Sequence, residues 1–132
     1  MKATILFAHG SRDPLWRKPV EAIAARVQAL DPARLVGCAY LELTDPPLMT
    51  CATTLVDQGA QNITVVPLFL GVGRHAREDL PVLMAELKAA FPRIAFGLQC
   101  AVGEDARLVD LLAHMALEPA QKSGATQSVT SS

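Results

Sequence analysis

The feature that most constrains the fold is a regular alternation of short apolar runs with longer segments of helical periodicity. Four runs have the length and composition of buried strands, at residues 3–8, 35–43, 63–70 and 94–100. Each is followed by a segment whose apolar residues recur at helical spacing, at residues 15–30, 48–58, 77–91 and 105–117. Four strand–helix units in succession predict an α/β fold with a four-stranded parallel sheet and helices on both faces. With right-handed crossovers, 2-1-3-4 is the simplest strand order.

Prolines and turn residues set expectations for where these elements end. Pro67 lies inside the third apolar run, and we expect pairing to weaken there because proline has no N–H to donate. Pro81 is expected in the first turn of the third helix, where proline is tolerated. Asp45 is a plausible N-cap of the second helix, and Gly59 is expected to close that helix.

Length and composition indicate one globular domain. The chain has 132 residues, of which 51% are hydrophobic and 19% are charged. We expect residues 1–117 to form the domain and residues 118–132, rich in Ser and Thr, to be a disordered tail. The formal net charge of −1 argues against nucleic acid as a partner. No signal-peptide pattern and no bilayer-length apolar stretch is visible, so we expect a cytoplasmic protein without a membrane partner.

The three cysteines predict no covalent framework. Cys38, Cys51 and Cys100 are odd in number, far apart and form no C-x-x-C pair. A disulfide framework or a thiolate zinc site is therefore not expected, and we interpret all three as buried small hydrophobic residues in a reducing cytoplasm.

Two histidines follow the ends of two predicted strands. His9 ends the first strand, His75 follows the third, and Glu42 lies at the end of the second. Because the carboxyl ends of adjacent parallel strands meet at one edge, these side chains can converge on one ligand. Two imidazoles and a carboxylate suit Co, Ni, Fe or Zn, but each histidine could equally hydrogen-bond only a loop carbonyl. His114 falls inside the last helix and is interpreted as structural or solvent-facing.

Arginines are concentrated around both histidines. Arg12, Arg74 and Arg77 flank them, and guanidinium pairs well with carboxylate or phosphate. This concentration modestly favours an anionic ligand over ordinary solvated loop charges. Ser11 and Gly71 permit close backbone approach, but no phosphate-cradling glycine motif is present.

At these residues the chain resembles the short sirohydrochlorin chelatases of the CbiX/SirB family, the class II chelatases. The matching segments are AHGSR at 8–12, YLEL and DPPL at 40–43 and 45–48, and VPLFLGVGRHAREDLP at 66–81. They occur in family order, and the resemblance covers roughly residues 3–115 as one three-layer chelatase-like domain. It implies a lyase that inserts a divalent cation into sirohydrochlorin in cobalamin or siroheme-type tetrapyrrole biosynthesis. Co²⁺ is the first candidate, ahead of Ni²⁺ or Fe²⁺, and no cofactor beyond this substrate metal is implied.

The resemblance also implies roles for individual residues. His9 and His75 match the metal-handling histidines and Glu42 a catalytic acidic residue. A further set at the rim is expected to bind the macrocycle and its carboxylates: Ser11, Arg12, Leu43, Gly71, Val72, Arg74 and Arg77. Short members of the family work as homodimers, in which the partner takes the place of the second half that longer chelatases contain. The resemblance therefore implies a homodimer. The histidine-rich insertion of some archaeal members is absent here.

The sequence leaves two other functions open. A metal-binding module or metallochaperone on the same fold would share the histidines without catalysing insertion. A histidine phosphatase is disfavoured, because that class places arginine directly before the histidine of the first strand and Ala8 precedes His9 here.

Overall fold

A computed structural model describes residues 1–120, so the expected tail lies almost entirely outside the described residues. The strands are β1 (Lys2–Ala8), β2 (Leu35–Tyr40), β3 (Asn62–Pro67) and β4 (Ala95–Leu98). The α-helices are α1 (Lys18–Leu30), α2 (Leu48–Asp57), α3 (Arg74–Ala90) and α4 (Ala106–Ala116), with a 3-10 helix at Val102–Glu104. No helix within residues 1–120 is both long and apolar enough to span a membrane.

The four strands form one parallel sheet in the order β2-β1-β3-β4, which confirms the predicted topology. Ala8 at the end of β1 pairs with Tyr40 at the end of β2, and Phe7 pairs with Pro67 at the end of β3. The carboxyl ends of three adjacent strands are therefore level with one another, and the loops that follow them share one edge of the sheet.

The core lies on both faces of the sheet and is larger on one. Between the sheet and α2 and α3, a cluster of apolar side chains includes the fully buried Ile5, Phe7, Val65 and Leu87. On the opposite face, α1 packs against β1 and β2, where its Val20 joins a smaller cluster. Burial of these side chains is what fixes the strand register, since a one-residue slip would turn each of them to the other face.

The third strand ends at Pro67, where the sequence predicts weaker pairing, and is therefore shorter than the predicted run to Leu70. The Leu68 N–H still donates to the Phe7 carbonyl at 2.7 Å, and the chain then leaves the sheet toward the cleft edge. The second strand is shorter than predicted and ends at Tyr40, because the chain turns at Leu43, whose φ of 65° is left-handed.

The helix starts differ from the predictions in three places. The first helix begins at Lys18 instead of Leu15, because Asp13 Oδ1 accepts the Leu15 N–H at 2.9 Å and holds a turn there. The second helix is capped by Pro47 without a side-chain hydrogen bond, so the N-cap role predicted for Asp45 is wrong. Gly59, with φ of 106°, does close that helix.

The third helix begins at Arg74, three residues earlier than predicted, after an extended Gly73. Pro81 is therefore the eighth helical residue instead of a first-turn residue, and that prediction is wrong. The ring is tolerated because Pro81 lies on the exposed side of the helix, while the buried face carries Leu80, Met84 and Leu87.

The cysteines are free but differ in burial. Cys51 is buried, and burial together with the nearby Cys38 raises the pKa of its thiol to about 12. Cys38 is half-buried, and burial raises its pKa as well. Cys100 is exposed at the edge strand, so the expectation that all three are buried is wrong for this residue.

The last helix is well capped but poorly packed. Asp105 accepts the Arg107 N–H at 2.8 Å and pairs with its guanidinium, which lowers the pKa of the capping carboxyl to about 2. Yet no residue of α4 is buried, and Leu108 alone is half-buried. Its principal contact is with the adjoining 3-10 helix, so it does not return to the sheet.

Candidate active site at the carboxyl edge of the sheet

A cleft of about 510 Å³ opens at the carboxyl edge of β1, β2 and β3. It is lined by side chains and backbone from the three loops that follow these strands and from the start of α3. The lining residues are His9, Leu41, Glu42, Gly73, Arg74, His75, Ala76 and Asp79. The sheet's switch point, where ligands bind in doubly wound folds, thus carries two imidazoles and two carboxylates.

His9 is held at the end of β1 by contacts on its ring and its backbone. The imidazole lies against the buried Phe69 ring, with centroids 4.3 Å apart and planes at 37°. Its carbonyl accepts the Glu42 N–H at 3.0 Å. The ring is exposed on its other side, so it is both oriented and accessible to a ligand.

The loops that carry His9 and Glu42 are clamped together behind the cleft. Thr44 Oγ1 accepts the Ser11 N–H at 2.9 Å and donates to the Ser11 carbonyl at 2.8 Å. Gly10 has φ of 106°, and a Cβ added there would overlap the Glu42 carbonyl oxygen. The close approach of the two loops therefore requires glycine at position 10.

The first turns of α3 form the opposite wall. His75 and Asp79 are four residues apart on this helix, which places both on one side of it. Arg74 lines the cleft and pairs with Glu78 at 3.3 Å, with both side chains largely in solvent. An exposed pair of this kind is weak, which leaves the guanidinium available to an anionic ligand.

The donor atoms line one cleft without forming a closed metal-binding set. Within residues 1–120, no group of three or more His, Cys, Asp or Glu side chains is close enough to hold a metal ion. His9, Glu42, His75 and Asp79 nevertheless border the same space. Such an arrangement can receive a cation that brings, or acquires, further ligands from a second molecule.

The predicted site residues fall into two groups. His9, Glu42, His75 and Arg74 are brought together in the cleft. The remaining predicted substrate-binding residues lie around it without lining it: Ser11, Arg12, Leu43, Gly71, Val72 and Arg77. Arg77, in the first turn of α3, donates to the Val72 carbonyl at 2.8 Å and so ties the start of the helix to the loop before it. His114 is exposed on α4, as expected, and its Nδ1 lies 2.8 Å from the Asp110 carbonyl oxygen.

Sequence reasoning missed two kinds of cleft residue. Asp79 lies four residues after His75. This spacing would have indicated Asp79 if the third helix had been predicted to begin at Arg74. Phe69 and Thr44 carry no such signal, because their roles depend on contacts between segments remote in the sequence.

The fold and cleft define an α/β protein whose ligand site opens at the carboxyl edge of a parallel sheet. The chain belongs to the CbiX family, whose model matches residues 3–118. It is 31% identical over 112 residues to a sirohydrochlorin cobaltochelatase of Sulfolobus acidocaldarius, covering 85% of this chain and 87% of that protein. It is 34% identical over 84 residues to the sirohydrochlorin cobaltochelatase of Methanopyrus kandleri, covering 64% of this chain and 59% of that one.

Solved structures share the fold. A CbiX protein from Marinobacter aquaeolei VT8 matches with a TM-score of 0.75 and 33% identity, over 88% of this chain and 94% of that one. The sirohydrochlorin chelatase SirB from Bacillus subtilis subspecies spizizenii, in complex with cobalt, matches with a TM-score of 0.74 and 30% identity. That match covers 87% of this chain but only 49% of the SirB chain. This chain also spans less than two thirds of the length of the Methanopyrus relative.

Proposed function

We propose that this chain is a sirohydrochlorin metal chelatase, with Co²⁺ as the first candidate metal and Ni²⁺ or Fe²⁺ as alternatives. The observation that carries the proposal is the cleft, which places His9, His75 and Glu42 around one space in a member of the CbiX family. Relatives named sirohydrochlorin cobaltochelatase and ferrochelatase support the substrate assignment.

The residues of the cleft suit the steps of metal insertion. Insertion requires that M²⁺ shed its waters and that the macrocycle lose two pyrrole protons. His9 and His75 both line the cleft, and imidazole nitrogen is a donor suited to the substrate cation. Glu42 and Asp79 are carboxylates that can take the released protons, a role that requires placement within hydrogen-bonding reach of the ring nitrogens.

The rim residues suit the peripheral groups of the substrate. Sirohydrochlorin carries many carboxylates, and Arg74 offers a largely exposed guanidinium at the cleft wall. Arg12 and the exposed Leu43 and Leu70 extend this rim, with charge for the carboxylates and apolar surface for the ring face. Fixing the ring in this way would orient its nitrogens toward the cation.

We further propose that the enzyme works as a cytoplasmic homodimer. The chain spans about half of the SirB chains it matches, so a second copy would supply a comparable length of protein. Three free cysteines suit a reducing compartment. The reaction needs no cofactor beyond the substrate metal.

The test follows the absorbance of sirohydrochlorin during insertion of Co²⁺, Ni²⁺ and Fe²⁺. We expect His9→Ala and His75→Ala each to slow insertion by about 100-fold or more. His114→Ala is the matched control, since His114 is exposed and lies outside the cleft lining, and it should insert metal at the wild-type rate.

Other outcomes would identify the alternatives. Unchanged insertion in both cleft variants would remove these histidines from the mechanism. Tight Co²⁺ binding without faster insertion would indicate a metal-binding module, and vanadate-sensitive turnover of a phosphate ester would indicate a phosphatase.

A further inference from the structure

Phe69 is a buried aromatic residue that lies beneath a histidine of the cleft. It follows β3 and is 1% exposed. Its ring centroid lies 4.3 Å from that of His9 and 6.0 Å from that of Phe7. Within residues 1–120, Phe69 is the one aromatic ring packed on His9. The Phe69 ring therefore joins the core of the sheet to the histidine that follows β1.

The backbone around Phe69 is fixed from two sides. The Leu68 N–H donates to the Phe7 carbonyl at 2.7 Å, and the Phe69 carbonyl accepts the Gly103 N–H at 3.1 Å. The first hydrogen bond ties the residue before Phe69 to β1, and the second ties Phe69 itself to the 3-10 helix after β4. The buried Phe69 ring is therefore a fixed surface against which a neighbouring side chain can be held.

The His9 imidazole is held by this packing and not by a hydrogen bond. Within residues 1–120, the histidine ring nitrogen that has a hydrogen-bond partner is Nδ1 of His114, which lies 2.8 Å from the Asp110 carbonyl oxygen. Histidines that bind metal are ordinarily oriented by a hydrogen bond from their second ring nitrogen to a carboxylate or a carbonyl. Because no described residue supplies such an acceptor to His9, contact with Phe69 is what limits rotation of the imidazole.

We infer that Phe69 is a positioning residue for His9, which holds the imidazole at the cleft through ring packing and leaves both ring nitrogens unoccupied. The inference rests on the proposed function, in which His9 handles the substrate cation, and it adds a residue that does not line the cleft. A phenyl ring takes no proton and offers no ligand atom, so Phe69 acts only through the orientation of His9. Holding a donor in place before the cation arrives lowers the entropy that binding costs.

Two substitutions separate ring packing from filling of the core. Phe69→Leu keeps an apolar side chain of similar size but removes the flat surface, so the imidazole gains further rotamers. Phe69→Tyr retains the flat surface. Ile63→Val is the matched control, because Ile63 is fully buried near the opposite end of β3 and the substitution removes a comparable volume there.

Titration with Co²⁺ alone, followed by the visible spectrum of the bound ion, measures its affinity and coordination. We expect Phe69→Leu to weaken Co²⁺ binding by about 10-fold and to alter the spectrum, because a loosely held imidazole is a poorer ligand. Phe69→Tyr should retain most of the affinity, and Ile63→Val should bind Co²⁺ as the wild type does. Wild-type affinity in Phe69→Leu, or an equal loss in either of the other two folded variants, would overturn the inference.

A double-mutant cycle tests whether Phe69 acts through His9. In a His9→Ala background, Phe69→Leu should cause no further loss of Co²⁺ affinity, because the imidazole that Phe69 positions has been removed. Equal losses in the two backgrounds would show that Phe69 acts through the core and would overturn the inference. Circular dichroism establishes that the variants compared are folded.

Proton NMR of the wild type keeps the inference testable if Phe69→Leu does not fold. The chain contains three histidines, so His9→Ala, His75→Ala and His114→Ala assign their imidazole resonances. At a pH where histidine is ordinarily neutral, the His9 resonances should lie upfield of those of His114, because the Phe69 ring faces the His9 imidazole. His114 is exposed and has no aromatic neighbour within residues 1–120. His9 resonances at the position of those of His114 would overturn the inference.

Failure of the inference and failure of the proposed function give different results. Wild-type Co²⁺ affinity in Phe69→Leu, together with insertion into sirohydrochlorin that depends on His9, would overturn the role of Phe69 and keep the chelatase. An effect of Phe69→Leu on Co²⁺ affinity that is absent in the His9→Ala background, in a protein that inserts no metal, would keep the role of Phe69 and overturn the chelatase.

Discussion

At the scale of single residues, the cleft depends on a position where any side chain would be excluded. Gly10 has a left-handed φ of 106° and sits directly against the Glu42 carbonyl, beside the Thr44 hydroxyl that ties the two loops together. Only glycine satisfies both the backbone conformation and the close approach. The relative placement of His9 and Glu42 is therefore set by the absence of a side chain between them.

We expect Gly10→Ala to destabilise the fold and to disturb the cleft. Left-handed strain costs on the order of 1–3 kcal/mol, and the added methyl must also push the Glu42 loop away. Urea denaturation measures the free energy of unfolding, and the sirohydrochlorin assay measures insertion. We expect a loss in both.

Gly59→Ala is the matched control for this prediction. Gly59 has the same φ of 106°, but a Cβ there would meet no atom within 4 Å, so it isolates the backbone strain. It should lose stability without losing insertion rate. Equal effects of the two substitutions on both measurements would contradict the argument from close approach.

The sequence pattern indicates at which edge of the sheet a residue lies, and this decided which site residues could be predicted. His9, Glu42 and His75 were accessible because their position after an apolar run fixes the sheet edge at which they lie. Cys100 was misjudged because residue type reports average burial, whereas exposure here comes from its place beside an edge strand. Arg12 and Arg77 were predicted at the rim but do not line the cleft, because sequence spacing does not encode the direction of a long side chain.

At the scale of elements, the existence and order of the helices and strands could be predicted from the sequence, whereas their boundaries could not. The four apolar runs and right-handed connections suffice for the order β2-β1-β3-β4. The start of α3 was missed because Ala76 is the one apolar residue among residues 74–79, which leaves the apolar pattern clear only from Leu80 onward. The periodicity of α4 predicted its apolar stripe but not what covers it, since a stripe specifies a face and no partner.

Pro81 provides a test of the observed start of α3. Inside a helix, proline removes one backbone hydrogen bond and costs up to about 3 kcal/mol relative to alanine. Because Pro81 is exposed and interior, Pro81→Ala should raise the free energy of unfolding by about 1–3 kcal/mol in urea denaturation.

The first helix supplies the control for this prediction. Pro19 is the second residue of α1, where no N–H is required, so Pro19→Ala should change stability by no more than about 0.5 kcal/mol. A Pro81→Ala variant no more stable than Pro19→Ala would place Pro81 in a first turn after all.

At the scale of the whole molecule, the cleft is open to solvent, and the sheet has helices on both faces but is uncovered at β4 on the face that carries α1. The cleft edge exposes His9, His75 and Arg74. Ala95 and Gly97 on β4, and Leu111 and Met115 on α4, are exposed among residues 1–120. Sequence pattern alone could not reveal these exposures, because each depends on how segments remote in the sequence pack together.

If the active unit is the proposed dimer, the insertion rate per chain must depend on protein concentration. Association stabilises the active form by mass action, so dilution below the dissociation constant should lower the rate per chain. We expect the rate per chain to fall in parallel with the dimer fraction. Initial rates of Co²⁺ insertion over a dilution series, with dimer fraction measured on the same samples, give the comparison. A wild-type rate per chain that stays constant while the dimer dissociates would show that each chain inserts metal by itself.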